Sequence, residues 1–125
     1  MTAPVHGSIA WIQVGTDDPD GAKRFYGELL GWTFQLDPNS GGRYHLITAP
    51  GAEQPGGGIA DTGGESPNHA IFLAIVDDVA TTVADTERLG GKVLTPPTTT
   101  PTGLVFADLL DPSGNHFGVF RPPAG

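Results

Sequence analysis

Cysteine is absent from the chain. That excludes a disulfide framework, a thiolate-held zinc or iron–sulfur centre, and a thiol nucleophile. Basic residues are scarce: 6 Lys and Arg stand against 14 Asp and Glu, for a formal net charge of −8. Lys23, Arg24, Arg43, Arg88, Lys92 and Arg121 are scattered along the chain, whereas a protein that tracks a nucleic-acid backbone needs a basic stripe. Nucleic acid is therefore not an expected partner. The acidity supports solubility, with a weak bias toward neutral or cationic ligands.

Long apolar runs are also missing, and no stretch approaches the length needed to span a bilayer. Met1-Thr2-Ala3-Pro4-Val5-His6 lacks the basic-then-apolar order of a signal peptide. The expectation is a cytoplasmic protein with no membrane partner. Catalytic signatures are equally scarce: there is no Gly-x-Ser-x-Gly elbow, no phosphate loop and no dinucleotide fingerprint. Gly56-Gly57-Gly58 precedes no helical pattern, so it reads as a loop-to-strand junction rather than a phosphate cradle. Asp17-Asp18 and Asp77-Asp78 resemble paired acids, but both stand at helix starts, where capping and the helix dipole account for them.

What the sequence has in quantity is glycine (19) and proline (12) among 125 residues. That suits short strands joined by tight turns in one domain, residues 1–125, with 1–7 as an amino-terminal tail. Ile9 to Val14 reads as a strand. Asp18-Pro19 opens a helix in which Ala22, Phe25, Tyr26, Leu29 and Leu30 recur at helical spacing, and Gly31 stops it. Phe25 and Tyr26 are expected on its buried face. Strands follow at Trp32 to Leu36, Tyr44 to Thr48 and Gly56 to Ala60. The cycle then restarts with a strand at Ala70 to Val76 and a helix from Asp78 through Val79, Val83 and Leu89 to Gly90-Gly91. Lys92 to Thr95 is a short strand before a Pro/Thr loop, Pro96 to Thr102. Leu104 to Leu110 and His116 to Arg121 are the last strands, and Asp111-Pro112-Ser113-Gly114 between them fits a type I turn.

The pattern repeats with a period of about sixty residues, over roughly 8–62 and 69–121. Asp18 precedes Gly31 by the interval that separates Asp78 from Gly91. Each half would leave one apolar sheet face uncovered by itself, so two βαβββ modules packed together give an α+β fold of curved mixed sheets around a cleft.

The run Asp18-Pro19-Asp20-Gly21-Ala22-Lys23-Arg24-Phe25-Tyr26-Gly27-Glu28-Leu29-Leu30-Gly31-Trp32 resembles the first helix of the vicinal oxygen chelate superfamily. That group contains glyoxalases, bleomycin-resistance proteins and extradiol dioxygenases. Val76-Asp77-Asp78-Val79, Leu89-Gly90-Gly91-Lys92-Val93 and Asp111-Pro112-Ser113-Gly114-Asn115 extend the likeness to about residues 8–121. The resemblance implies the fold just described. In metalloenzymes of the group it also implies a divalent ion held by one His, Glu or Gln from each of four strands.

Carried over from the landmarks, those positions fall on Trp11, on the stretch near Gly57 to Ile59, on Ile71 (Ala70 if the register slips) and on Gly118. None is a ligand, which places the metal-dependent activities in doubt. No cofactor is expected. The alternative is a displaced Zn, Ni, Mn or Fe site drawing on His69, His116 or His45, with Gln13 or Glu65. His6 is expected to be exposed.

Strand alternation assigns Trp11, Gln13, His69, Ile71, Leu73, Ile75, His116 and Phe120 to the cleft. Ile12, Val14, Phe72, Val76, Phe117 and Val119 are assigned to the helix side. An apolar, aromatic lining with a few polar groups suits a small flat organic molecule. The leading expectation is a metal-free binding protein of the drug-resistance or metabolite-binding type rather than an enzyme. A lyase or dioxygenase with a displaced ligand set is one alternative. A structural or regulatory dimer with a filled cleft is another, and exposed sheet edges make a homodimer the expected assembly in any case.

Overall fold

A computed structural model describes residues 5–123. The elements run β1 (Ile9–Thr16), α1 (Pro19–Leu30), β2 (Thr33–Leu36), β3 (Tyr44–Thr48), β4 (Gly57–Asp61), β5 (His69–Ile75), α2 (Val79–Arg88), β6 (Lys92–Thr99), β7 (Val105–Leu110) and β8 (His116–Arg121). This is the βαβββ order twice over, as the repeat requires. The chain divides into two compact units. The first is Trp11–Ala70. The second takes the residues from Ile71 onward together with those up to Ala10.

In the first unit the strand order is β2-β3-β4-β1, with β1 parallel to β4 and the other pairs antiparallel. Asp18 caps α1 by accepting a hydrogen bond from the Gly21 N–H at 3.0 Å, with Pro19 in the first turn. Gly31 ends the helix in the left-handed region at φ 74°. Val14, Ile47 and Ile59 form the core, against which Ala22, Tyr26, Trp32 and Phe34 pack. Ile59 has no exposed surface. Tyr26 stacks on Trp32 with ring centroids 5.0 Å apart.

The second unit repeats the plan as β5-β8-β7-β6, again with one parallel pair, β5 and β8. The register repeats too. Gln13 lies opposite Gly58 in the first unit, and Leu73 opposite Gly118 in the second. Asp78 caps α2 through the Thr81 N–H. Val76, Val79, Ala107, Leu109 and Val119 make the core, joined by Val83, Val93, Val105 and Phe117.

Several expectations are corrected. The Pro/Thr segment is not wholly a loop, because β6 continues through Pro96 and Pro97 to Thr99. It is an edge strand, and its pairing with β7 is interrupted across Pro96 and Pro97, where the register shifts between Thr95 and Thr98. Phe25 does not join the buried face. Ala22 and Tyr26, one turn apart, occupy it, leaving Phe25 59% exposed and edge-on to Tyr26. Phe72 is also exposed, stacked on Phe117, because α2 lies over β6, β7 and β8 rather than over the start of β5. Ile12 likewise stays partly exposed.

Residues 1–4 of the expected tail lie outside the described residues. His6 to Ser8 are not loose: Gly7 N–H donates to Ile75 O, Ile75 N–H to Ser8 O, and Asp77 N–H to His6 Nδ1. Among the described residues no helix is long and apolar enough to cross a membrane.

Candidate functional site

On β1 of the first unit, alternation sends Val14 into the core and Trp11 and Gln13 to the opposite face. Two bare positions shape that face. Gly58, paired with Gln13, leaves room for the Tyr44 ring to lie across the strand, and a Cβ there would collide with the ring. Gly15 likewise accommodates the His69 imidazole, which a Cβ at that position would strike.

The four side chains so placed form one hydrogen-bonded line. Trp11 Nε1–H donates to Tyr44 Oη at 2.8 Å, and Tyr44 Oη–H donates to Gln13 Oε1 at 3.3 Å. Gln13 Nε2 lies 3.1 Å from His69 Nε2, and His69 Nδ1 lies 3.1 Å from the Pro67 carbonyl oxygen. A carbonyl only accepts, so in the neutral imidazole Nδ1 carries the proton and Nε2 accepts from the Gln13 amide. Every donor in the line then meets an acceptor with one consistent polarity. All four residues are half-buried.

The face therefore carries fixed polar groups on aromatic surface. Gln13 retains capacity: its amide offers two N–H donors and two oxygen lone pairs, and the line uses one of each. Tyr44 is the residue that sequence reasoning misses, since alternation alone marks it only as the start of a strand. The available signals were a glycine inside a strand, which marks close approach, and a tyrosine whose hydroxyl needs a partner.

The other candidates are distributed as follows. Ile71 and Leu73, in the second unit, are 9% and 8% exposed, so they form wall rather than open surface. Leu73 covers Gly118, its Cγ lying 2.8 Å from where a Cβ would stand. His116 and Phe120 share one face of β8 and are half-buried, and His116 Nε2 lies 3.1 Å from Asp108 Oδ1 on β7. Asp108 is the functional candidate that strand alternation alone does not mark, its one sequence signal being a carboxylate inside the apolar run Leu104 to Leu110. His45 pairs with Ile59, which places it on the α1 side of its unit, away from Gln13. His6, exposed as expected, also pairs with Asp77 at 3.7 Å.

The carried-over ligand positions offer no side-chain donor to a divalent ion. They hold an indole, a glycine-rich strand, a buried isoleucine and a glycine shielded by Leu73. Among the described residues no three His, Asp or Glu side chains group closely enough to hold a metal. The Nε2 atoms of His69 and His116 are each engaged by a neighbouring side chain.

Similarity to known proteins agrees with the twofold βαβββ fold. The chain is 37% identical over 122 residues to the anthracycline biosynthesis protein DauV of Streptomyces sp. (strain C5), matching 92% of this chain and 42% of that protein. It is 33% identical over 94 residues to a glyoxylase-like domain-containing protein of Didymella fabae, matching 72% of this chain and 73% of that one. The chain spans less than half the length of most curated relatives it matches. Among solved structures, a methylmalonyl-CoA epimerase of Streptomyces coelicolor aligns with a TM-score of 0.64 at 18% identity, over 96% of this chain and 100% of that one. At that identity the likeness concerns the fold alone. The model of the Glyoxalase/Bleomycin resistance protein/Dioxygenase superfamily matches residues 8–119, and the chain belongs to that superfamily.

Proposed function

We propose that this superfamily member binds a small aromatic or amphipathic organic molecule without a metal, as a drug-resistance or metabolite-binding protein does. The observation that carries the reading is the line Trp11–Tyr44–Gln13–His69, which fixes polar groups on an aromatic face. Gln13 can present one further N–H and one further oxygen lone pair. That pairing matches a carbonyl next to a hydroxyl on a flat ring system. The DauV name, an anthracycline biosynthesis protein, makes hydroxyquinones the first compounds to try. A homodimer belongs to the same reading, supported by the edge strands β2 and β6 and by exposed Phe25 and Leu29 on α1, and the location that goes with it is the cytoplasm.

The test is titration with a panel of hydroxyquinones, followed through the Trp11 indole N–H resonance and intrinsic fluorescence. Saturable binding is expected, weakened about tenfold by Gln13→Leu, the loss of a hydrogen bond or two. Silence across the panel would overturn the reading in favour of a structural module. Elemental analysis after dialysis against Zn, Ni, Mn or Fe covers the enzymatic alternative. Stoichiometric metal lost on His69→Ala or His116→Ala would replace binding with lyase or dioxygenase chemistry.

A further inference from the structure

Asp108 is the carboxylate of a sheet face that carries Phe106, Leu110, His116 and Phe120, with Lys92, Thr95 and Thr98 beside them on the edge strand β6. In the second unit, β7 and β8 pair Asp108 with Gly118, Phe106 with Phe120, and Leu110 with His116, so these side chains share the face turned away from α2. The Asp108 side chain is only 20% exposed, and His116 beside it 24%. A carboxylate partly withdrawn from water is costly unless a cation or several donors compensate it. No lysine or arginine does so here; its one partner among the described residues is His116 Nε2, at Oδ1.

Oδ2 makes no hydrogen bond within the described residues, and none of their buried side-chain oxygens lacks a partner. Oδ2 must then be reachable from solvent. With Asp108 as a carboxylate, Oδ1 accepts from His116 Nε2–H. One same-face step along the strands stands the cross-strand pair Phe106 and Phe120, whose ring faces attract cations. Leu73 seals the Gly118 side.

We propose that Asp108, held in place by His116, is an anchor for a protonated amine on an aromatic ligand. The ammonium group meets Oδ2, and Phe106 and Phe120 take the adjoining hydrophobic part. His116 is a positioning residue: its N–H on Oδ1 turns Oδ2 outward. The net charge of −8 favours approach of such a ligand. The inference rests on the small-molecule reading for the kind of ligand, but on different residues, and it adds the ligand's charge.

The probes are 1-naphthylmethylamine, protonated at neutral pH, and 1-naphthylmethanol, its uncharged counterpart with the same ring. Binding is followed by the resonances of Asp108, His116 and Phe120. The amine is expected to bind about tenfold more tightly than the alcohol, as a charge-assisted hydrogen bond provides. Asp108→Asn should bring the amine down to the alcohol's affinity and leave the alcohol unchanged. His116→Gln keeps a donor for Oδ1 and should preserve most of the preference. Added salt should weaken only the amine, a readout that needs no variant. Equal binding of the two probes, or a preference that survives Asp108→Asn or high salt, overturns the anchor while leaving the small-molecule reading intact. Failure of both probes to bind overturns the anchor and counts against that reading as well.

Discussion

Trp11 and Tyr44 lie 33 positions apart in sequence, yet one hydroxyl joins them and passes the polarity on to Gln13. Removing it with Tyr44→Phe leaves a half-buried indole N–H without an acceptor. The expected cost is about 1–2 kcal/mol in urea unfolding. The Trp11 indole proton should move upfield and exchange faster with solvent. Gly58→Ala should give the same spectral signature from a different cause, since the added methyl displaces the Tyr44 ring. Crowding of this kind costs about 1–3 kcal/mol. Gly56→Ala, where a Cβ meets open space, is the control and should stay within about 0.5 kcal/mol. A Gly58→Ala protein with an unmoved indole resonance would show that Tyr44 does not depend on the bare strand.

Turns and caps decide where the elements begin and end. In the β7–β8 hairpin, the Asp111 carboxylate accepts from the Asn115 side-chain amide and backbone N–H and from Ser113 N–H. The Asn115 amide contributes most to holding its pKa below the ordinary value of 3.8; the Ser113 and Gly114 backbone adds to this, while partial desolvation opposes it. A depressed folded-state pKa means stability that is present above the ordinary value and lost as pH falls through the folded one. Melting temperature should therefore drop as pH is lowered from about 5 toward 2, and Asp111→Asn should flatten that part of the profile. A curve unchanged by the substitution would remove Asp111 from the acid response. At the first helix, Asp18→Ala should cost about 1 kcal/mol through loss of the cap, read as a lower urea midpoint. These elements were legible in the sequence because their signals are local: Asp18-Pro19 and Gly31, Asp78 and Gly90, Asp111 to Asn115. Strand β6 was read short because prolines count against a strand until its edge position is known.

Across the molecule, each unit has its own centre, Ile59 in one and Leu109 in the other, both without exposed surface. Truncating either to alanine should cost about 2–5 kcal/mol. Amide exchange should accelerate first in the unit that carries the change, and uniform acceleration from either substitution would contradict separate cores. The twofold repeat could be read from sequence because spacing encodes it. The polar line and the Asp108–His116 pair could not, because each depends on which strands become neighbours and in what register, and only folding supplies that. The second unit is discontinuous in the chain: the residues from His6 to Ser8 complete it by bonding to Ile75 and Asp77. A protease that nicks the connector between β4 and β5 would consequently release no free amino-terminal half, since its first residues remain stitched to the far side of the cut.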